Sequence, residues 1–250
     1  MLRVRTEGRA SWLTLDRPPL NVLNIALMRE LSAALADAAP KSDFLVFEGA
    51  GARGFSAGAE VGDHAPEHIA EMLGAFNGLF RELWRADCIT ISAVHGVCLG
   101  GGCELATFCD FVVAGQSAKF GQPEIKLACF PPVAMAVFAQ LMGPRAALDL
   151  ILTGRTISAA EARELGLVTR VVPDADVQKA AQELVAELAA LSPAALRMTR
   201  RELWRATGFD FEKTLDVIER AYLDRLAKLP DYAEGIQAFL QKRAPVWRGR

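Results

Sequence analysis

Three consecutive glycines, Gly100 to Gly102, separate an apolar run from a segment of helical character, and this junction is the strongest constraint on the fold. Glycines allow a sharp turn between a strand and a helix. The first N–H groups of a helix have no partner within the helix, so they can face an anion or a developing negative charge. Taken alone, the triplet fits a purely structural turn as well as an oxyanion site.

The triplet is not a nucleotide-binding loop, since no Lys-Ser/Thr pair follows it and the G-x-G-x-x-G spacing is absent. A second glycine loop, Phe55–Glu60, reads F-S-A-G-A-E. Taken alone it fits a surface loop. Both loops follow predicted strands, and two such loops can each direct one N–H to the same oxygen, which would polarise a carbonyl and stabilise an enolate.

Apolar runs and helical spacing alternate along most of the chain. Strands are predicted over residues 2–6, 12–15, 44–47, 89–94, 111–114 and 168–172. Helices are predicted after the N-cap Asn24 and over residues 67–84, 158–165, 175–191, 193–205, 211–228 and 232–243, with residues 49–63 as an irregular loop. The fold class is therefore α/β, with ligand sites at the carboxyl ends of strands and a mostly helical C-terminal part.

Two carboxylates flank this region. Glu104 lies just after the glycines, where a helix dipole would also favour it, and Glu124 follows the turn Gly121-Gln122-Pro123. If the two meet in an apolar pocket, they cannot easily both ionise, so one keeps its proton. One base and one acid at a single water are suited to adding water across a double bond.

Composition limits the function classes. A net charge of −2 disfavours a nucleic-acid partner. The five cysteines lie in apolar surroundings, which is typical of a reducing compartment. The start Met1–Arg5 alternates charge, so we expect no signal peptide, and no apolar run reaches membrane-spanning length. We expect a cytoplasmic protein with no membrane partner, although a removed organellar leader would leave no trace.

Other chemistries have weaker support. His95, Cys98, Cys103 and Cys109 fit no common zinc spacing, and we expect small core residues there. His64 and His68 lack an H-E-x-x-H pattern, and we expect them on a surface helix or at a pocket mouth. Ser56 or Ser92 could serve a hydrolase, but neither lies in a nucleophile-elbow sequence.

Several segments together resemble the crotonase family, also called the enoyl-CoA hydratase/isomerase family. They are F-S-A-G-A-E at 55–60, H-G-V-C-L-G-G-G-C-E-L-A at 95–106, F-G-Q-P-E-I at 120–125, L-T-G-R-T-I-S-A-A-E-A at 152–162, G-L-V at 166–168 and F-L-Q-K-R at 239–243. They follow the family's order through almost the whole chain.

The resemblance implies a crotonase-like spiral of ββα units over residues 1–190 and a helical part over 191–250 that forms trimers, or dimers of trimers. It implies an acyl-CoA substrate and no metal or other cofactor, coenzyme A being part of the substrate.

The resemblance also assigns residues. Ala59 and Gly101 would form the oxyanion hole, Glu104 would activate water, and Glu124 would protonate the α-carbon. Other residues would contact the acyl group or coenzyme A: Ala57, Arg53, Phe130, Pro132, Phe239 and Lys242. The presence of both acids favours hydration; the alternatives are an enoyl-CoA double-bond isomerase and a non-catalytic scaffold that binds CoA esters or RNA.

Two departures from the family pattern stand out. Glu60 replaces the usual Asp, and Phe130–Met135 (F-P-P-V-A-M) replaces a glycine-rich turn after the second acid. Together with V-G-D-H-A-P-E at 61–67, the segment Phe130–Met135 resembles the sequences of the subgroup that hydrates cyclohexa-1,5-diene-1-carbonyl-CoA. We therefore expect this segment to line the acyl pocket and to alter the acyl group accepted.

Overall fold

The computed structural model describes residues 1–249, in which strands and helices are interspersed as far as the tenth strand and only helices follow. The strands are β1 (Leu2–Glu7), β2 (Ala10–Leu15), β3 (Phe44–Gly49), β4 (Gly54–Ser56), β5 (Ile89–Val94), β6 (Val97–Leu99), β7 (Phe111–Gly115), β8 (Lys119–Gly121), β9 (Thr156–Ser158) and β10 (Arg170–Val172). The helices are α1 (Ile25–Ala38), α2 (Ile69–Arg85), α3 (Gly101–Phe108), α4 (Pro132–Met142), α5 (Pro144–Thr153), α6 (Ala159–Glu164), α7 (Val177–Ala189), α8 (Pro193–Ala206), α9 (Phe211–Asp224) and α10 (Pro230–Leu240).

Two sheets form the α/β part. The larger has the order β1-β2-β3-β5-β7-β10 and is parallel except for the β1–β2 hairpin. The smaller has the order β4-β6-β8-β9, with β9 antiparallel. Three pairs of consecutive strands contribute one strand to each of the two sheets: β3–β4, β5–β6 and β7–β8. The first two pairs are followed by α2 and α3, respectively. This is the ββα spiral that the resemblance implies.

Alternation along the strands fills a core on each face of the larger sheet. Leu45 and Phe47 of β3 point into one apolar cluster, whereas Phe44 and Val46 point into the other, beneath α7. Successive side chains of a strand face opposite sides, so continuous apolar runs fit strands that are covered on both faces. The prediction of buried strands over 44–47 and 89–94 is confirmed.

The smaller sheet was not predicted from periodicity. Residues 49–63, predicted as an irregular loop, contain β4, and β6, β8 and β9 were also missed. Each of these four strands has three residues, too few to establish a period of two. Gly54 has a φ of 156°, and a Cβ there would lie 2.3 Å from the nitrogen of Val97, so β4 pairs closely with β6 only because residue 54 is glycine.

Helix ends also differ from prediction. The predicted helix 211–228 ends at Asp224 and is followed by a separate 3₁₀ turn. The last helix begins at Pro230, whose fixed φ suits a first helical position, rather than at residue 232. Asn24 caps α1 as predicted, its side chain accepting a hydrogen bond from the N–H of Leu27 at 3.0 Å. The helices α4 and α5 were not predicted.

The C-terminal helices are attached to the α/β part. Phe211, Leu215 and Tyr222 of α9 and Tyr232 of α10 belong to the same apolar cluster as the core of the sheets. The Arg200 guanidinium of α8 pairs with Asp110 at 2.7 Å. The division of the chain at residue 190 stays a prediction. Within residues 1–249, no helix is long and apolar enough to cross a lipid bilayer.

Candidate active site

The glycines at the start of α3 bring three segments close together. Gly100 has a φ of 51°, and a Cβ there would lie 2.5 Å from Oε1 of Glu124. A Cβ on Gly102 would lie 2.5 Å from the Cβ of Ser56. Side chains at either position would therefore push apart β4, the start of α3 and the turn that carries Glu124. The triplet is required for this close approach.

Ala59 and Gly101 present two neighbouring N–H groups. A Cβ on Gly101 would lie 3.4 Å from the nitrogen of Ala59. The carbonyl of Gly58 accepts a hydrogen bond from Leu23, and because a trans peptide directs its N–H away from its carbonyl, the N–H of Ala59 points away from Leu23. In residues 1–249, neither N–H donates to a backbone carbonyl. Both N–H groups are therefore free of backbone partners in this part of the chain, and their binding of one shared oxygen atom stays a prediction.

The Glu104 carboxylate is buried, with 2% of the residue exposed. Its Oε1 accepts hydrogen bonds of 2.8 Å from the N–H groups of Val133 and Ala134, in the first turn of α4. Burial raises the pKa of Glu104 to about 7, and the two backbone hydrogen bonds oppose a larger rise. Glu104 can therefore alternate between its ionised and protonated forms near neutral pH.

The Glu124 carboxyl group lies in a different environment. It belongs to the 3₁₀ turn Pro123–Leu127, and its Oε2 is buried without a hydrogen-bond partner in the described part of the chain. Burial, and secondarily the negative charge of Glu104, raise the pKa of Glu124 well above its ordinary value. Both effects favour the protonated form of Glu124.

Both carboxyl groups open into one small inner pocket of about 20 Å³. The inner pocket is lined by Ala59, His64, Met72, Leu73, Phe76, Gly101, Glu104, Glu124, Phe130, Pro132 and Tyr222. A cavity needs about 10–15 Å³ to hold a water molecule. The inner pocket thus has room for a single water beside two carboxyl groups.

A larger outer cleft of about 360 Å³ adjoins the inner pocket, and Ala59, His64 and Glu124 line both. Ala57 and Phe239 also line the outer cleft, which is bordered by the basic residues Lys126 and Arg243. A long ligand could therefore extend from the two N–H groups toward the positive charges at the rim.

Eight of the ten residues predicted for the site line the inner pocket or the outer cleft. The other two do not. Arg53 is exposed in the turn before β4, where its carbonyl accepts a hydrogen bond from Val97. Lys242 is exposed beyond α10 and lines neither space, whereas the next residue, Arg243, does. The roles of Arg53 and Lys242 in binding coenzyme A stay predictions.

Sequence reasoning missed Phe76, Tyr222 and Arg243 as lining residues. The first two occupy apolar positions of amphipathic helices, where nothing local separates a pocket wall from core. His64 was expected on a surface helix or at a pocket mouth; it is buried between the two spaces, with Nδ1 2.9 Å from the carbonyl of Glu60. Burial lowers the pKa of His64, which favours the neutral ring.

The described part of the chain has no geometry that matches the serine-hydrolase or metal-site chemistry considered above. The Ser56 hydroxyl donates to the carbonyl of Asn21 at 2.7 Å, and the Ser92 hydroxyl donates to that of Ala106 at 2.9 Å. All five cysteines are buried and free. Among residues 1–249, no group of three or more His, Cys, Asp and Glu side chains is arranged to hold a metal ion.

Known proteins share this architecture. The family model described as enoyl-CoA hydratase/isomerase matches residues 6–250. A probable enoyl-CoA hydratase (echA8) of Mycobacterium tuberculosis is 38% identical over 255 aligned positions, covering 99% of this chain and 97% of its own. The cyclohexa-1,5-dienecarbonyl-CoA hydratase of Thauera aromatica is 34% identical over 246 aligned positions, which cover 98% of this chain and 95% of the relative's chain. The crystal structure of an enoyl-CoA hydratase from Mycobacterium avium subsp. paratuberculosis superposes with a TM-score of 0.88 at 29% identity, covering 98% of each chain.

Proposed function

The chain belongs to the enoyl-CoA hydratase/isomerase family, and from this premise we propose that it adds water across a double bond of an unsaturated acyl-CoA thioester in the inner pocket. One observation carries the proposal. Two buried carboxyl groups, one bonded to a helix N-terminus and one not, face a pocket with room for a single water. This provides a base, an acid and the nucleophile in one place.

In this mechanism Glu104, as carboxylate, takes a proton from the water. The water oxygen forms a bond to the β-carbon of the double bond, whose electron pair moves onto the thioester as an enolate. The N–H groups of Ala59 and Gly101 stabilise the enolate oxygen; losing one such donor typically costs about 3–4 kcal/mol. Glu124 then gives its proton to the α-carbon. A proton passing from Glu104 to Glu124 restores the starting state.

The outer cleft suits the remainder of the ligand. We assign it to the pantetheine arm of coenzyme A, with the charges of Lys126 and Arg243 directed toward its phosphates. Arg243 is held by Glu234 at 2.5 Å, so its charge is partly neutralised before any ligand binds.

For the acyl group, we propose a cyclic dienoyl thioester. Phe130 and Pro132, from the segment that departs from the family pattern, line the inner pocket, and the relative from Thauera aromatica is named for such a substrate. The pocket of about 20 Å³ is smaller than any acyl group, so its apolar walls must move when the substrate enters. Phe130, packed on Tyr222 with ring centroids 4.8 Å apart, is the aromatic wall that the unusual segment contributes.

We further propose that the chain forms a homotrimer, or a dimer of trimers. Leu191, Met198 and Leu203, on or beside α8, are 54%, 58% and 66% exposed. Leu191 and Leu203 border an apolar groove of about 560 Å³. Burying such side chains is favourable in an assembly. With free cysteines throughout, we propose a reducing, cytoplasmic setting.

A turnover screen tests the function and the acyl group together. The purified protein is given crotonyl-CoA, longer enoyl-CoAs and a cyclic dienoyl-CoA, and loss of the conjugated thioester absorbance is followed. We expect hydration, with the cyclic substrate preferred. Hydration of crotonyl-CoA alone would contradict the cyclic proposal.

Heavy-oxygen water then separates hydration from double-bond isomerisation, because only hydration leaves labelled oxygen in the product. A product that has a shifted double bond and no label would identify an isomerase. Binding of CoA esters or RNA with no turnover of any substrate would identify a non-catalytic scaffold.

A further inference from the structure

Tyr222 carries a buried hydroxyl group that lies near the Cys129 thiol and the Tyr232 hydroxyl but forms no hydrogen bond of normal geometry with either. The residue is 1% exposed, and within residues 1–249 its hydroxyl has no hydrogen-bond partner. Its neighbour Tyr232 is equally buried, but its hydroxyl donates to the carbonyl of His64 at 2.5 Å. Buried hydroxyl groups are normally paired, so the unpaired one requires a reason.

The ring of Tyr222 is fixed on two sides. It packs edge-on against Phe130, with centroids 4.8 Å apart and planes at 71°, and against Tyr232, with centroids 5.9 Å apart and planes at 85°. A ring held in this way cannot turn its hydroxyl toward solvent. The position of the ring is determined by three parts of the chain: α9, which carries Tyr222; the segment that follows Glu124; and α10.

The inner pocket supplies the missing partner. Tyr222 lines it together with Glu104 and Glu124, and the unpaired Oε2 of Glu124 lies in the same surroundings. Most of the remaining wall is apolar, formed by Met72, Leu73, Phe76, Phe130 and Pro132. Two residues that each carry a buried polar atom without a partner thus line one space that has room for a single water, and a buried water usually makes two to four hydrogen bonds.

We infer that the Tyr222 hydroxyl is a third ligand of the reacting water, in addition to the two carboxyl groups. It donates to one lone pair of the water oxygen, the two hydrogens of the water face Glu104 and Glu124, and the other lone pair points to the carbon attacked. Tyr222 transfers no proton in this role. Burial and the neighbouring Cys129 and Tyr232 raise the pKa of Tyr222, so it stays a neutral donor. The inference rests on the proposed hydration.

The test compares Tyr222→Phe with the matched control Tyr232→Phe, using two acyl-CoA substrates. Each variant loses one buried hydroxyl and keeps its ring. For Tyr222→Phe we expect kcat to fall about 10- to 100-fold by the same factor with both substrates, because the water loses its orientation. KM and the unfolding midpoint should stay close to wild type.

Tyr232→Phe should show the opposite pattern, a lower unfolding midpoint with kcat near wild type, since its hydroxyl bonds to the backbone. An unchanged kcat in Tyr222→Phe would overturn the inference, as would a loss confined to KM for one acyl group, which would place the hydroxyl on the acyl chain. A lowered midpoint with unchanged kcat would make Tyr222 structural. If the wild-type protein hydrates none of the substrates, the proposed function itself is wrong. If the wild-type protein hydrates a substrate and Tyr222→Phe has the same kcat, the proposed function stands and only the role of Tyr222 is wrong.

Discussion

Oε1 of Glu104 accepts a 2.8 Å hydrogen bond from the backbone N–H of Val133, the second residue of α4. A helix N-terminus stabilises negative charge, so this contact and the parallel one from Ala134 favour the ionised form of Glu104. Oε2 of Glu124 has no comparable partner within residues 1–249. Glu104 is almost fully buried, whereas Glu124 is only partly buried as a residue although its Oε2 is enclosed. In the proposed mechanism this difference in bonding separates the base from the acid.

The pH dependence of kcat follows from this separation. The proposed mechanism needs Glu104 ionised and Glu124 protonated. The rate should rise with pH through the pKa of Glu104, about 7, and fall at higher pH as Glu124 loses its proton. Initial rates measured between about pH 5 and 10 should give a bell-shaped profile, whose limbs belong to the coupled pair. A flat profile across pH 7 would contradict the assignment of Glu104 as base.

Gly100→Ala tests the close approach of the glycine turn to Glu124. The new Cβ would lie 2.5 Å from Oε1 of Glu124, at a φ of 51° that alanine rarely adopts. We expect the carboxyl group to be displaced, with kcat reduced about 100-fold and stability lowered by about 1–2 kcal/mol.

Gly74→Ala is the control for that substitution. Gly74 lies within α2, and a Cβ there would meet nothing within 4 Å. Alanine should stabilise the helix by up to about 1 kcal/mol and leave kcat unchanged. Wild-type kcat in Gly100→Ala would show that Glu124 need not occupy its present position.

Arg200→Met tests the attachment of α8. Arg200 and Asp110 are each 13% exposed, and Asp110 also accepts hydrogen bonds from the N–H and hydroxyl of Thr90. Removing the guanidinium leaves a largely buried carboxylate without its cation, so we expect about 3 kcal/mol of destabilisation in urea unfolding.

Arg205→Met is the matched control, because the Arg205–Glu202 pair is 69% and 53% exposed. Its loss should cost less than about 0.5 kcal/mol. Equal effects of the two substitutions would mean that the Arg200–Asp110 pair does not anchor α8.

Most of the larger sheet and most helices could be predicted because their runs are long enough for a period to appear; β10 has three residues but lies within the longer predicted run 168–172. The smaller sheet could not, since β4, β6, β8 and β9 have three residues each and depend on glycines that allow close backbone contact. The spiral itself came from the resemblance, which places the short strands by family order rather than by pattern.

The site residues also fall into those that could be predicted from the sequence and those that could not. Glu104 and Glu124 could be proposed as a pair because acids next to glycine turns are unusual in apolar surroundings. That Val133 and Ala134 would bind Glu104 could not be foreseen: the sequence marked this segment only as a departure from the family, and its backbone N–H groups carry no side-chain signature. Tyr222 was equally hidden, because it occupies an ordinary apolar position of α9 about a hundred residues after Glu124.

The kcat values of Glu104→Gln and Glu124→Gln, measured with the best substrate of the screen, test the central claim most directly. Each amide keeps the shape of the acid but cannot exchange its proton. The two-carboxyl mechanism predicts that each variant loses at least about 100-fold in kcat while the KM for the acyl-CoA changes little. Hydration by either variant within about tenfold of wild type would contradict it.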